Sequence, residues 1–318
     1  MSRTLWTWAR VVGPVVVLAV LVWRLGTGPF VDGARTVNGF ALAAAAGVGV
    51  LTTLCCAWRW RLVAGGLGVE LTLRHAVAAC YRSQFLNVTL PGGIVGDVHR
   101  GVSHGRGVSD VGRALRAVAL ERAAGQVVQV LVTAIVLIAL PSPVQSSTPL
   151  VVLALVAACL GAVLIARVRP ASGSAWARVR SAVARDVRDA LLARRAWFGI
   201  ALASVIVVAG HATVFMIAAR TAGTTVSPLQ MLPIALLVMI ATVLPGAGAW
   251  GSREGVTAWV FAAAGLGAGR GIATAVVYGV IGLFATLPGA AVLAVEWFRH
   301  TRLPSRREPR LQERGAHA

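Results

Sequence analysis

The chain has 318 residues, is 57% hydrophobic and only 13% charged, and carries a formal net charge of +19. A soluble domain has about a quarter of its residues charged, so a soluble enzyme is excluded. A nucleic-acid partner is set aside too, because the arginines cluster between apolar runs rather than on one face.

All basic side chains are Arg, which with abundant Ala, Gly and Val points to a high-GC bacterial genome. Apolar runs at 11–23, 37–57, 117–139, 149–166, 197–219 and 272–295 approach the ~20 residues that a helix needs to cross a ~30 Å hydrocarbon core. No alternating strands of ~10 residues suggest a barrel. The predicted fold class is therefore an all-α polytopic membrane protein, with about six spanning helices.

In chain order, Arg3 and Arg10 precede the first run. Trp23-Arg24 follows it instead of a small-residue cleavage site, so it reads as an uncleaved first span. A short external loop at 24–36 leads to the second span, which returns to Arg59, Arg61 and Arg74. The segment 75–98 is too polar and too short to cross and return. It reads as a re-entrant loop or a pair of short helices, followed by Arg100, Arg106, Arg113 and Arg116. The third span leads to an uncharged loop at 141–149, and the fourth returns to 167–196, which holds eight Arg.

Within that stretch, Trp176, Val179, Val183, Val187 and Leu191 recur at helical spacing with Arg on the other faces. This predicts an amphipathic helix over 174–195 lying on an anionic leaflet. The fifth span goes outward, 229–268 is again broken, and the sixth span returns to an Arg-rich tail. This topology puts 23 Arg on cytoplasmic segments and four outside. The expected location is a bacterial plasma membrane, with both termini cytoplasmic. One transmembrane domain is expected over 1–298, with a basic tail at 299–318. Arg82, Arg106 and Arg113 read as leaflet anchors, and His211 as a packing residue. Cys55, Cys56, Cys80 and Cys159 read as free thiols, without metal-ligand spacing.

The two halves resemble each other. Leu90-Pro91-Gly92-Gly93 recurs as Leu244-Pro245-Gly246, 154 residues later, and the same shift superposes neighbouring spans. Repeat one covers about 8–140 and repeat two about 149–297, with the insert 167–196. An odd number of crossings per repeat requires the second to be inverted. In transporters, Gly/Pro-interrupted segments at matched positions mark the binding site. Proline removes a backbone donor, glycine permits close approach, and freed N–H groups at the next helix start attract anions. The candidate anion-binding residues are Asn87, Pro91, Gly92, Gly93, Asp97, Arg100, Glu121, Arg122, Pro245, Gly246, Arg253 and Glu254. Arg100 and Arg253 would hold a phosphate. Asp97, Glu121 and Glu254 would orient them or take up protons.

The ordered motifs Phe85-x-Asn87, Leu90-Pro91-Gly92-Gly93, Gly96-Asp97-x-x-Arg100, Glu121-Arg122-x-x-Gly125 and Leu244-Pro245-Gly246 with Gly251-x-Arg253-Glu254 resemble the lysylphosphatidylglycerol synthase transmembrane-region family. This is the flippase-like domain of multiple-peptide-resistance factors and of stand-alone proteins. The resemblance implies translocation of an anionic lipid, either an aminoacylated phospholipid or a polyprenyl-phosphate-linked sugar. Synthase activity is not expected, because only about twenty polar residues follow 297, and neither is a catalytic residue, metal or cofactor. The expected partners are membrane lipids. The alternative is a non-catalytic membrane anchor for a glycosyltransferase or lipid-modifying enzyme.

Overall fold

The computed structural model describes residues 22–23, 26–90, 93–140, 175–191, 193, 196–241 and 252–302. The first and fourth expected spans, Pro91, Gly92, Pro245, Gly246, Cys159 and the basic tail beyond 302 lie outside the described residues. So does the 242–251 loop. Ten helices are described: α1 Gly28–Arg35, α2 Gly39–Gly66, α3 Leu73–Thr89, α4 Val95–Gly107, α5 Val111–Ala139, α6 Ala175–Ala190, α7 Trp197–Thr221, α8 Pro228–Ala241, α9 Ser252–Ala263 and α10 Ala268–Arg302. Four are long and apolar enough to cross a bilayer: α2, α5, α7 and the Ala268–Phe298 part of α10. The protein is thus an all-helical polytopic membrane protein, and these four helices match the expected second, third, fifth and sixth spans.

Three details depart from the expectations. The segment expected as a loop at 24–36 contains α1, which starts at Gly28-Pro29, where proline needs no helical donor, and packs on α10. The second span does not end at residue 57. It runs nine residues further, carrying Arg59 and Trp60 into the protein interior, where both are buried. The segment 75–98 forms a pair of helices, one of its two expected readings, but the second runs on to Gly107, and Gly93 between them has φ 65°.

Local signals explain the helix starts. The side chains of Asn38, Thr72 and Asp110 accept hydrogen bonds from the backbone N–H groups of Ala41, His75 and Arg113, which satisfies donors that a helix leaves open. α3 and α4 form an antiparallel hairpin. A Cβ on Gly96 would lie 2.0 Å from the Ser83 carbonyl oxygen, so glycine is what lets the two backbones touch. The amphipathic helix expected over 174–195 is observed as α6. It is tied down at Ala190, which lies against Gly66 of α2, and at Asp186, which accepts a 2.6 Å hydrogen bond from Arg116 of α5. Val183 on it stays exposed.

The packing repeats. In the first half, α2 touches α3 and α5, and α4 touches α3 and α5. In the second, α7 touches α8 and α10, and α9 touches α8 and α10. The cross-contacts match as well: α2 with α10 mirrors α7 with α5, and α3 with α10 mirrors α8 with α5. At the centre α2 meets α7, with Gly210 against Thr52, Ser204 against Arg59 and Gly199 against Leu62. Residue numbers fall along α7 as they rise along α2, so this equivalent pair runs antiparallel. An inverted second repeat requires that direction; a parallel repeat would not have it.

The close approaches give a test. Gly96→Ala and Gly289→Ala place a methyl group against the carbonyls of Ser83 and Tyr81, the latter at 2.2 Å. Each is expected to cost about 1–3 kcal/mol through overpacking. Gly47→Ala meets nothing within 4 Å and is expected to be neutral or stabilising by roughly 0.5–1 kcal/mol. Thermal unfolding in detergent checks the order; a melting temperature for Gly96→Ala at or above wild type contradicts it.

Candidate functional site

Glu121 sits on the inward face of α5 with its side chain 2% exposed. A lone carboxylate there would carry a desolvation cost of several kcal/mol. Two arginines offset it. Arg59 of α2 donates from Nε to Glu121 Oε1 at 2.8 Å and from Nη2 to the same oxygen. Arg100 of α4 donates from Nη2 to Glu121 Oε2. Two further donors find partners: Arg59 Nη1 donates to Ser204 Oγ on α7 at 2.9 Å, and Arg100 Nη1 to Cys80 Sγ on α3 at 3.2 Å. The Arg100 guanidinium lies 4.8 Å from the Trp60 ring centre, a favourable cation–π position.

Asp97 is the second carboxylate. It accepts from Ser83 Oγ at 2.9 Å and from Asn87 Nδ2 at 3.1 Å. Arg100 Nε lies 3.1 Å from its Oδ1, and Arg122 Nη2 lies 2.6 Å from its Oδ2. Asn87 also accepts from the backbone N–H of Gly96 at 2.8 Å, clamping the end of α3 to the start of α4.

The Glu121-Arg122-x-x-Gly125 motif now has a physical reading. Glu121 and Gly125 are one helical turn apart on the same face. A Cβ on Gly125 would lie 2.9 Å from Arg59 Nη1, so glycine leaves room for the guanidinium. Arg122 points to the Asp97 side and is the open member of the cluster, with its side chain 45% exposed.

Asn87, Asp97, Arg100, Glu121 and Arg122 are therefore brought together, with Gly93 at the nearby turn. Two expectations change. Arg100 is 3% exposed and committed to Glu121, Asp97 and Cys80, so it is not presented to a ligand. The N–H groups expected to stay free at the start of α4 are partly taken, because Gly96 gives its own to Asn87.

Arg253 and Glu254 lie apart from this cluster in sequence, at the start of α9. Arg253 donates from Nε and Nη2 to Glu254 Oε1 at 3.2 and 2.7 Å, and its guanidinium lies 5.8 Å from the Tyr278 ring centre. Glu254 is fully buried. The expected approach of the two Pro-Gly loops falls outside the described residues.

Several residues escaped the sequence reading. Arg59 was placed beyond the second span, on its cytoplasmic flank, but Cys55 and Val63, one turn to either side, share its buried face; that apolar flanking was the available signal. Arg82, read as an anchor, is buried and paired with Glu296 of α10. Ser204 carried no signal. His211, read as a packing residue, is exposed on α7. Cys55, Cys56 and Cys80 are free thiols, as expected. Among the described residues no group of three or more His, Cys, Asp or Glu is arranged to hold a metal ion.

The cluster predicts unequal responses to neutralisation. Glu121→Gln leaves two buried arginines short of a carboxylate and is expected to cost about 3–5 kcal/mol. Arg122→Gln leaves Asp97 with Arg100, Ser83 and Asn87, and is expected to cost less than about 1 kcal/mol. Equal melting temperatures for the two variants in detergent contradict the assignment.

A comparison with curated proteins gives no match. The family profile described as the lysylphosphatidylglycerol synthase TM region matches residues 8–289, a range that includes all twelve candidate residues and ties the chain to the handling of membrane lipids. With that profile covering most of the sequence, and the Asn87, Asp97, Arg100, Glu121 and Gly125 motif positions assembled around one buried charge cluster, the protein belongs to the lysylphosphatidylglycerol synthase transmembrane-region family.

Proposed function

We propose that the protein translocates an anionic lipid between the leaflets of a bacterial plasma membrane, and that Arg122 receives the head-group phosphate. The observation that carries this reading is the charge balance of the cluster. Three guanidiniums, Arg59, Arg100 and Arg122, face two carboxylates, Asp97 and Glu121. One positive charge is left over, and Arg122 is the exposed member. An unbalanced cation at a membrane-embedded site calls for an anion or an aqueous cavity. A phosphodiester supplies one negative charge and oxygens that match the guanidinium fork. The Arg253–Glu254 pair, taken by itself, is formally neutral.

Asp97 and Glu121 act as positioning residues in this reading. They hold Arg100 and Arg59 and aim Arg122, and neither is assigned a proton-transfer step. Acyl chains remain in the bilayer while the head group moves. No bond is made or broken, so the chain is assigned transport without synthesis. The inverted repeat supports the reading, since that architecture underlies many alternating-access carriers.

Orientation follows the arginines. The C-terminal end of α2, the N-terminal end of α5 and helix α6 meet at one end of the bundle through Gly66–Ala190 and Arg116–Asp186. Arg61, Arg113, Arg116, Arg185 and Arg188 are exposed there. We assign this end to the cytoplasm.

Two measurements test the proposal. In proteoliposomes, wild-type protein is expected to move a fluorescent anionic phospholipid, and Arg122→Gln to slow it by roughly 10–100-fold, the equivalent of losing one charged hydrogen bond of ~1.5–3 kcal/mol. Wild-type liposomes no faster than protein-free ones overturn translocation. In intact cells, on a cysteine-free background, an impermeant maleimide is expected to label Ser227→Cys and spare Ser181→Cys; the reverse pattern overturns the orientation.

A further inference from the structure

α5 carries polar side chains beyond the charge cluster. Arg122, Gln126, Gln129 and Thr133 follow one another at spacings of four, three and four. At ~100° per residue they fall within an arc of about 60°. This is not the lipid-facing arc, because Val127, Leu131, Ile135 and Ile138 are the exposed apolar residues of the same stretch, while Thr133 is fully buried. α5 therefore turns a polar stripe toward the protein interior at membrane depth.

The Thr133 hydroxyl donates to the Gln129 carbonyl at 2.8 Å. The two amides are not satisfied: Gln126 Oε1 and Gln129 Nε2 are enclosed and have no hydrogen-bond partner. Leaving such a group unpaired is costly, and hydrocarbon offers it nothing. Sequences retain groups like these in spans where something polar meets them.

α7 supplies the facing wall. Arg59 bonds both Glu121 of α5 and Ser204 of α7, which sets those two residues at one level. Further along, Val132 and Val136 share an apolar cluster with Val208, Ala212 and Phe215. The two helices thus run side by side in the same direction. His211, two turns beyond Ser204 on the same face, comes to about the level of Gln129. It is exposed, and within electrostatic reach of Arg122 and Arg59.

We infer that the stripe Arg122–Gln126–Gln129, faced by His211, is the path along which the head group of an anionic glycerophospholipid passes through the membrane. The inference rests on the translocation reading. The order of groups suits passage. A single open cation at the start captures the phosphate. The amides beyond it carry donors and acceptors but no net charge, so they hold the head group weakly enough to release it, as conduction through a site requires. A run of arginines would trap it instead.

The test uses a cysteine-free full-length chain in nanodiscs of phosphatidylcholine, with or without phosphatidylglycerol. Gln126→Cys, Gln129→Cys and His211→Cys are compared with the lipid-facing Val127→Cys and Leu131→Cys. Thiols react as thiolates, which form only where water reaches, so a charged thiosulfonate is expected to modify the first three on the order of tenfold faster than the controls. Phosphatidylglycerol is expected to slow that reaction. Rates at 126 and 129 equal to the controls overturn the path. Rates indifferent to phosphatidylglycerol make it a water or proton route and equally overturn the proposal.

The double variant Gln126→Leu/Gln129→Leu guards against misfolding. It is expected to keep or raise the melting temperature while translocation falls at least about tenfold, since apolar groups replace unsatisfied ones; a lowered melting temperature marks the amides as structural and sinks the idea. Wild-type protein that moves no lipid removes the translocation reading. Wild-type protein that moves lipid without the labelling pattern removes the path alone.

Discussion

A carboxylate buried at membrane depth is the constraint around which the first half of the molecule is organised. Glu121 requires Arg59 and Arg100 within hydrogen-bond reach, and these come from two other helices. Each arginine also reaches other partners: Arg59 bonds Ser204 of α7, Arg100 bonds Cys80 of α3, and Asp97 of α4 lies beside the Arg100 guanidinium as a second counter-charge. One ionised group thus fixes the relative positions of five helices. It also dictates where side chains must be absent: Gly125 makes room for a guanidinium, and Gly96 lets α4 approach α3 closely enough for Asn87 and Ser83 to reach Asp97. Buried ionic networks of this kind are weak sources of net stability and strong sources of geometric definition.

The two repeats share an arrangement of helices but not a chemistry. Most contacts among α2–α5 and α7–α10 have a counterpart in the other half. Yet a cluster of five charges occupies the first, while a carboxylate and its neighbouring arginine begin α9 in the second. The pseudo-symmetry therefore describes a frame, and the departure from it gives the frame a polarity.

Much of this was legible in the sequence, and the limits have a physical origin. Long apolar runs betray spanning helices because lipid imposes length and hydropathy locally. Matched Pro-Gly interruptions betray the repeat for the same local reason. Glu121, Arg122 and Asp97 stood out because ionisable residues at the mouth of an apolar run or beside a Pro-Gly break need an explanation. Arg59 and Arg82 did not, since an arginine at the edge of a span is also what ordinary leaflet anchoring produces. Their true partners, Glu121 and Glu296, lie 62 and 214 residues away in the chain, beyond anything periodicity can connect. The glutamines of α5 were hidden by their apolar neighbours: averaged over the span, two amides barely lower the hydropathy.

The long reach of Arg59 has a consequence for biogenesis. α2 leaves the ribosome and enters the membrane before its counter-charge exists, for Glu121 follows 62 residues later and Ser204 145 residues later. At synthesis rates of ~5–20 residues per second, the first interval lasts roughly 3–12 s. Throughout it, the guanidinium must be sheltered by the insertion machinery or held at the lipid head groups. The helix cannot settle at its final depth until α5 arrives. Burial of Arg59 is therefore a late event of assembly, although the residue belongs to an early span.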